Sequence, residues 1–102
     1  MRIVAKKALL DFGRKHPPAM PAMQTFARTL LAAGWRDFAE VRGAFPHADT
    51  VRTASGNSVV VFNVGGNNWR VITAIHYNRQ TAFILATLTH AEYDRMRWRD
   101  NL

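Results

Sequence analysis

From Ser58 to Leu88 the chain consists of three apolar, β-branched runs separated by two short polar turns, and that alternation leaves few folds open. The runs are Ser58 to Val64, Trp69 to Tyr77 and Thr81 to Leu88, rich in the Val, Ile, Thr and aromatic residues that suit a pleated, half-buried surface. Gly65-Gly66-Asn67-Asn68 and Asn78-Arg79-Gln80 supply the turns. Connections this short pair neighbouring strands antiparallel, so the spacing predicts a three-stranded meander. Gly65-Gly66 joins strand to strand and lacks the spacing and the following Lys-Ser/Thr of a phosphate-cradling loop, so it reads as a hairpin turn.

What precedes the meander is helical. Arg2-Ile3-Val4 predicts a short opening strand, after which Ala5, Ala8, Leu9 and Phe12 fall on one helical stripe that Pro17-Pro18 ends. Met23, Phe26, Ala27, Leu30 and Leu31 follow the same template from a start near Pro21, with Gly34 as the stop. Asp37 to Glu40 and Thr89 to Glu92 each have the form of a capping box. The first predicts a turn of helix through Arg42, the second a last helix from His90 to about Trp98. Helices followed by a hairpin sheet indicate an α+β fold, and 102 residues fit one domain, 1–102.

Composition narrows the function. Fourteen Lys and Arg face seven Asp and Glu, a net charge of +7, and eleven of the fourteen are Arg, whose planar fork matches phosphate oxygens. A polyanionic partner is the natural reading, with a merely soluble basic surface as the alternative. Cysteine is absent, which excludes a disulfide framework, a thiolate metal site and a catalytic thiol. No HExxH or EF-hand pattern occurs and the four histidines are scattered, so neither metal nor cofactor is expected. No apolar stretch approaches the roughly 20 residues that span a bilayer, and the start lacks the form of a signal peptide; the expectation is a mature cytoplasmic protein without membrane attachment.

Closing the hairpins on paper gathers one group of polar residues. A tight turn at Gly65 to Asn68 sets Arg70 opposite Asn63, and the second turn sets Arg70 opposite residue 87, 88 or 89, with the register and therefore the face left open. Arg70 then lies at the end of the sheet where the last helix begins, and His90 and Tyr93, three apart, share a face of that helix. His76, six residues from Arg70 along one strand, is about 20 Å away and serves nothing there. The group Asn63, Arg70, His90 and Tyr93 suits RNA cleavage by the RNA's own 2′-hydroxyl. Histidine can act as base or acid near neutrality, and Arg70 would stabilise charge on the phosphoryl oxygens. Tyrosine would take part if neighbouring Arg lowered its pKa. The structural alternatives are a Tyr93 that only packs helix on sheet, a solvated His90, and an Arg70 held in a salt bridge to Asp94. His16 and His47 read as surface, and Trp35, Trp69 and Trp98 as core or interface anchors. In an RNA-binding protein Lys6, Lys7, Arg95, Arg97 and Arg99 would contact phosphates.

Several blocks along the chain resemble the HigB family of RelE-like toxins. They are Arg2-Ile3-Val4 with Lys6 to Leu9, Trp35 to Val41 (WRDFAEV), Phe45 to Asp49, Val61 to Asn67 with Arg70, Ile75 to Arg79, and Thr89-His90 with Glu92-Tyr93-Asp94. The resemblance implies a RelE-like fold, with two N-terminal helices packed on a small, mainly antiparallel sheet and a short C-terminal helix. It implies a type II toxin: a metal-independent endoribonuclease, or mRNA interferase, that cleaves mRNA on the ribosome. Its partner would be a HigA-like helix-turn-helix antitoxin, through which alone it would meet DNA. It points to Arg70, His90 and Tyr93 as catalytic and to Lys6, Lys7, Asn63, Asn67, Arg95 and Arg97 as RNA contacts. One position departs: many relatives carry an arginine in the last strand, where Leu85 here follows Phe83-Ile84. That departure raises the alternative of a non-catalytic module binding RNA, ribosome or antitoxin. A DNA-binding protein is a third reading, for which no helix-turn-helix is apparent in the basic regions.

Overall fold

The computed structural model describes residues 1–102. Five strands form one sheet: β1 (Arg2–Val4), β2 (Asp49–Arg52), β3 (Ser58–Val64), β4 (Trp69–His76) and β5 (Thr81–Thr89). Their order is β1-β5-β4-β3-β2, with β1 parallel to β5 and every other pair antiparallel. Before and within this sheet run α1 (Lys6–Lys15), α2 (Met20–Ala32) and α3 (Phe38–Ala44), and after it α4 (His90–Asp94) and α5 (Trp98–Asn101). The fold is α+β and the expected meander is present. β2 is an addition to it: a single half-buried Val51 between exposed neighbours gives too little periodicity to mark a strand.

The helices cover one face of the sheet. Leu9 and Phe12 of α1 are buried there, whereas Ala5, in the left-handed region at φ 67°, and Ala8 are exposed, so the stripe is narrower than expected. Met23, Phe26, Ala27 and Leu30 of α2 are buried, but Leu31 is 48% exposed. It lies roughly 80° around the helix from Met23, at the margin of the apolar face. Gly13 lets the two helices meet closely, since a Cβ there would sit 2.6 Å from the Met20 sulfur. Beneath them Phe62 receives the edges of Phe26 and Phe45 at 5.0 and 4.9 Å, with Trp35 stacked at 6.2 Å. The Met1 amine donates to the carbonyls of Leu30, Leu31 and Ala33, tying β1 to the end of α2.

The opposite face is covered by the chain's last turn. Register settles what faces it: Asn63 pairs with Arg70, as expected, and Arg70 pairs with Leu88. A bulge between Ile72 and Thr73 leaves Leu85 without a partner and inverts the alternation of β5. Ala82 and Ile84 therefore pack with the helices, while Ala86 and Leu88 join Val59, Val61 and Ile72 on the other side.

The last helix is shorter than expected. Thr89 completes both halves of its capping box with Glu92, but α4 ends at Asp94, Met96 adopts φ 61°, and helix resumes only at Trp98. The break has a packing reason. Trp98 is buried, its ring stacks on Tyr93 at 5.3 Å, and its indole N–H donates to the Tyr93 carbonyl at 3.2 Å. Five residues apart on an unbroken helix, those two side chains would diverge by roughly 140°. The Asp37 box is half formed. Asp37 accepts from the Glu40 N–H, but the Glu40 carboxylate takes the backbone N–H of Arg36.

Candidate functional site

Arg70 sits in the middle strand on the face away from α1 and α2 and is 7% exposed. Its guanidinium donates to the Asn67 carbonyl at 3.1 Å, to the Trp69 carbonyl at 3.2 Å and to the Asn67 side-chain oxygen at 2.7 Å. Its Cζ lies 5.4 Å from the centre of the Tyr93 ring, so Arg70, Tyr93 and Trp98 form one stacked column. The expected alternative, an Arg70–Asp94 salt bridge, is not formed; Asp94 Oδ2 lies instead 2.8 Å from His90 Nδ1. Neither the chain's three Lys/Arg–carboxylate pairs nor the His90–Asp94 contact involves Arg70. A buried cation without an anion is costly; here three carbonyl-type acceptors and one π face offset it only in part.

The β3–β4 turn makes this possible. Gly65 and Gly66 adopt φ 65° and 69°, and a Cβ on Gly65 would lie 2.7 Å from the Trp69 indole. The turn folds tightly over Trp69 and leaves Asn67 within reach of Arg70. Asn63, half-buried and directly across the ladder, completes the group. Tyr93 makes no hydrogen bond through its hydroxyl. Burial pushes its pKa above the ordinary tyrosine value, and the opposing pull of Arg70 is the smaller effect. The condition set for Tyr93, a pKa lowered by neighbouring Arg, is therefore not met: desolvation outweighs the cation.

The other expected residues are dispersed. His90 begins the same helix as Tyr93, but its ring is engaged by Asp94. Lys6 and Lys7 are exposed on the first turn of α1, across the sheet from Arg70, with Lys7 paired to Asp11 at 2.9 Å. Arg95 and Arg97 are exposed on either side of the Met96 reversal. Leu85, 39% exposed, is three residues from Leu88, about 10 Å along the strand. It lines a different cavity, with Asn57, Ala74 and His76.

Sequence reasoning missed three features. Asp94 is the partner of His90, a relation that the i, i+4 spacing signals. His16, expected at the surface, is half-buried against Phe12 at 4.5 Å and Trp69 at 5.8 Å, and the i, i+4 spacing from Phe12 was its signal. Arg52 arrives beside Arg95 and Arg99 only because β2 forms, and nothing local announces it. Trp35 and Trp98 are buried and Trp69 half-buried, as expected of anchors. No group of three or more His, Asp or Glu is placed to hold a metal ion, and no helix is long and apolar enough to cross a membrane.

Residues 19–96 match the HigB toxin family, described as the RelE-like toxic component of a toxin–antitoxin system. The chain belongs to that family. The matched HigB region contains Asn63, Asn67, Arg70, His90, Tyr93 and Arg95, whereas Lys6, Lys7 and Arg97 fall outside it. Similarity to individual HigB proteins runs over nearly the whole chain. The mRNA interferase HigB of Escherichia coli O6:H1 strain CFT073 is 32% identical over 96 residues, covering 94% of this chain and 91% of that protein. The mRNA interferase toxin HigB of E. coli strain K12 is 29% identical over 94 residues, covering 92% and 88%.

Proposed function

We propose that this chain is the toxin of a type II toxin–antitoxin system and cleaves mRNA without a metal ion, at the Arg70–Tyr93 column. The observation that carries this reading is a buried guanidinium with no carboxylate, lying against a protonated phenol, in a member of the HigB family. A phosphate brought to Arg70 supplies the missing counter-charge, and the interaction strengthens as negative charge builds on the phosphoryl oxygens.

In this reading Tyr93, a phenol that keeps its proton at neutral pH, is the acid, and the Arg70 guanidinium beside its ring favours release of that proton. His90 Nδ1 lies 2.8 Å from Asp94 Oδ2, and in this reading Nε2, the ring's other nitrogen, is the base. In the proposed step Nε2 takes the 2′-hydroxyl proton and the 2′-oxygen bonds to phosphorus. The bond from phosphorus to the 5′-oxygen breaks, and Tyr93 delivers its proton to that oxygen. The products are a 2′,3′-cyclic phosphate and a free 5′-hydroxyl, and solvent returns the proton from His90 to Tyr93. Asn63, Asn67, Arg95 and Arg97 lie on the side from which RNA would approach. Lys6 and Lys7, across the sheet, are placed to meet the ribosome or a more distant RNA segment. Neutralisation falls to a HigA-like helix-turn-helix antitoxin in the cytoplasm, and DNA is contacted through that partner.

Primer extension on a defined mRNA, free or on purified ribosomes, tests the reading. Cleavage by the wild type that both Arg70→Ala and Tyr93→Phe abolish is the expected result, and cutting only with ribosomes present would establish ribosome dependence. Growth arrest on induced expression with every transcript intact would replace the nuclease by the binding-module alternative that Leu85 raises.

A further inference from the structure

The C-terminal reversal folds back on the β2–β3 connection, and the two enclose a cleft of about 430 Å³. Three arginines line it, Arg52, Arg95 and Arg99, with one acid, Asp100. Arg52 and Arg95 are exposed, and the chain's three Lys/Arg–carboxylate pairs and the His90–Asp94 contact lie elsewhere. Arg99 is held in place: its guanidinium donates to the Arg52 carbonyl at 3.0 Å, and its own carbonyl accepts the Ala54 N–H at 3.0 Å. Ser55 Oγ also donates to the Leu102 carbonyl, so the cleft walls are fastened to each other through backbone groups. Three like charges around one cleft repel each other unless an anion joins them. The site adjoins the stacked column through Met96, which lines the cleft and packs in the same cluster as Tyr93 and Trp98.

We propose that this cleft is a second phosphate subsite, binding a backbone phosphodiester of the same RNA strand whose scissile phosphate meets Arg70. The proposal rests on the RNA-cleaving reading for the choice of strand, but its contacts are with the ribose–phosphate backbone and are independent of the chemical step. Arg52 and Arg95 supply the mobile charges, and Arg99, pinned by its backbone and side-chain bonds, sets the floor. Guanidinium forks suit a phosphodiester's two free oxygens, and a backbone subsite is indifferent to base sequence.

Fluorescence anisotropy of a labelled, all-2′-O-methyl hexanucleotide tests it, because this probe lacks the attacking hydroxyl and stays uncut. Each phosphate neutralised on a single strand contributes about 0.7 to the slope of log affinity against log salt. The subsite's single phosphate accounts for about 0.7, so the Arg52→Gln/Arg95→Gln double variant should lower the slope by about 0.7 and each single variant by less, with affinity of the double variant at least tenfold weaker in low salt. Arg52→Lys should keep the wild-type slope, and Arg79→Gln, in the turn before β5, should leave binding unchanged. An unchanged slope in the double variant would overturn the subsite, as would an equal loss in Arg79→Gln, which would reduce the effect to net charge. Inorganic phosphate that binds the cleft while the oligonucleotide does not would also overturn it. So would a double variant that loses affinity for a poly-glutamate peptide but keeps the oligonucleotide. Failure of the nuclease reading shows separately: a wild type that binds the probe with the full slope yet cuts no message on ribosomes loses the catalytic assignment and keeps the subsite.

Discussion

The helix-covered face of the sheet buries Phe62 among three other aromatic rings, whereas the opposite face buries a guanidinium under a tyrosine. On the first face the large buried side chains are apolar and edge-to-face contacts dominate. The second has only four fully buried apolar residues, Val59, Val61, Ile72 and Trp98, and is closed by a chain segment that reverses at a left-handed methionine. A sheet with one ordinary core can carry a second face that is poor at stabilising the fold. The charge buried there costs folding energy, and on the proposed function it serves as a place for an anion.

That contrast breaks first if Phe62 proves dispensable. Phe62→Ala should cost about 3–5 kcal/mol in denaturant unfolding, because it removes a ring that is 0% exposed and leaves Phe26, Phe45 and Trp35 around a cavity. Arg70→Met should do the reverse. Activity should fall about 10²–10³-fold with loss of a charge stabiliser, while the melting temperature holds or rises, since an apolar chain of similar length replaces an unpaired buried cation. A variant that is inactive because it is unfolded would return Arg70 to a structural role and erase the difference between the faces.

Tyr93→Phe is the finer cut. It keeps the ring between Arg70 and Trp98 and removes only the proton, so activity should drop about 10²-fold or more with stability nearly unchanged. The pH profile carries the sign. Burial disfavours the phenolate, so the acid stays protonated beyond the ordinary tyrosine range, and the alkaline fall in wild-type rate should begin only above it. Residual activity in the variant should lack that limb. A wild-type rate that collapses between pH 7 and 9 would show that Tyr93 is not the acid.

Much of the architecture was legible. β3 has its expected bounds, β4 ends one residue early and β5 one residue late, because apolar runs between Gly- and Asn-rich turns are strong local signals. Hairpin closure also placed Arg70 opposite Asn63 before any coordinates. The rest depended on tertiary events. β2 has one inward residue, the Met96 reversal is driven by where the Trp98 ring finds Tyr93, and the bulge that leaves Leu85 unpaired reverses the alternation of β5. The direction of the Tyr93 shift depends on packing in the same way: proximity to Arg70 can be read from spacing, but the degree of burial that outweighs it cannot.

The smallest expected effect concerns the hinge between the two faces, where β5 passes into α4. The Glu92 carboxylate accepts the Thr89 N–H at 2.9 Å, and Thr89 Oγ1 accepts the Glu92 N–H at 3.2 Å. The backbone bond from Thr89, above all, holds the Glu92 carboxyl below its ordinary pKa, with Lys15 and His16 adding to it from the end of α1. A depressed carboxyl pKa stabilises the folded state at pH above the unfolded value, and that contribution fades as pH falls through the folded one. Thr89→Ala should cost about 1 kcal/mol, seen as roughly fivefold faster amide exchange confined to residues 90–95. In protection factors, which remove the intrinsic pH dependence of exchange, acidification through the Glu92 titration should bring the wild type toward the variant, and Glu92→Gln should show no such acid response. Exchange that accelerates equally in β3 would mean that the second face has no independent stability, and that α4 and the sheet open as one unit.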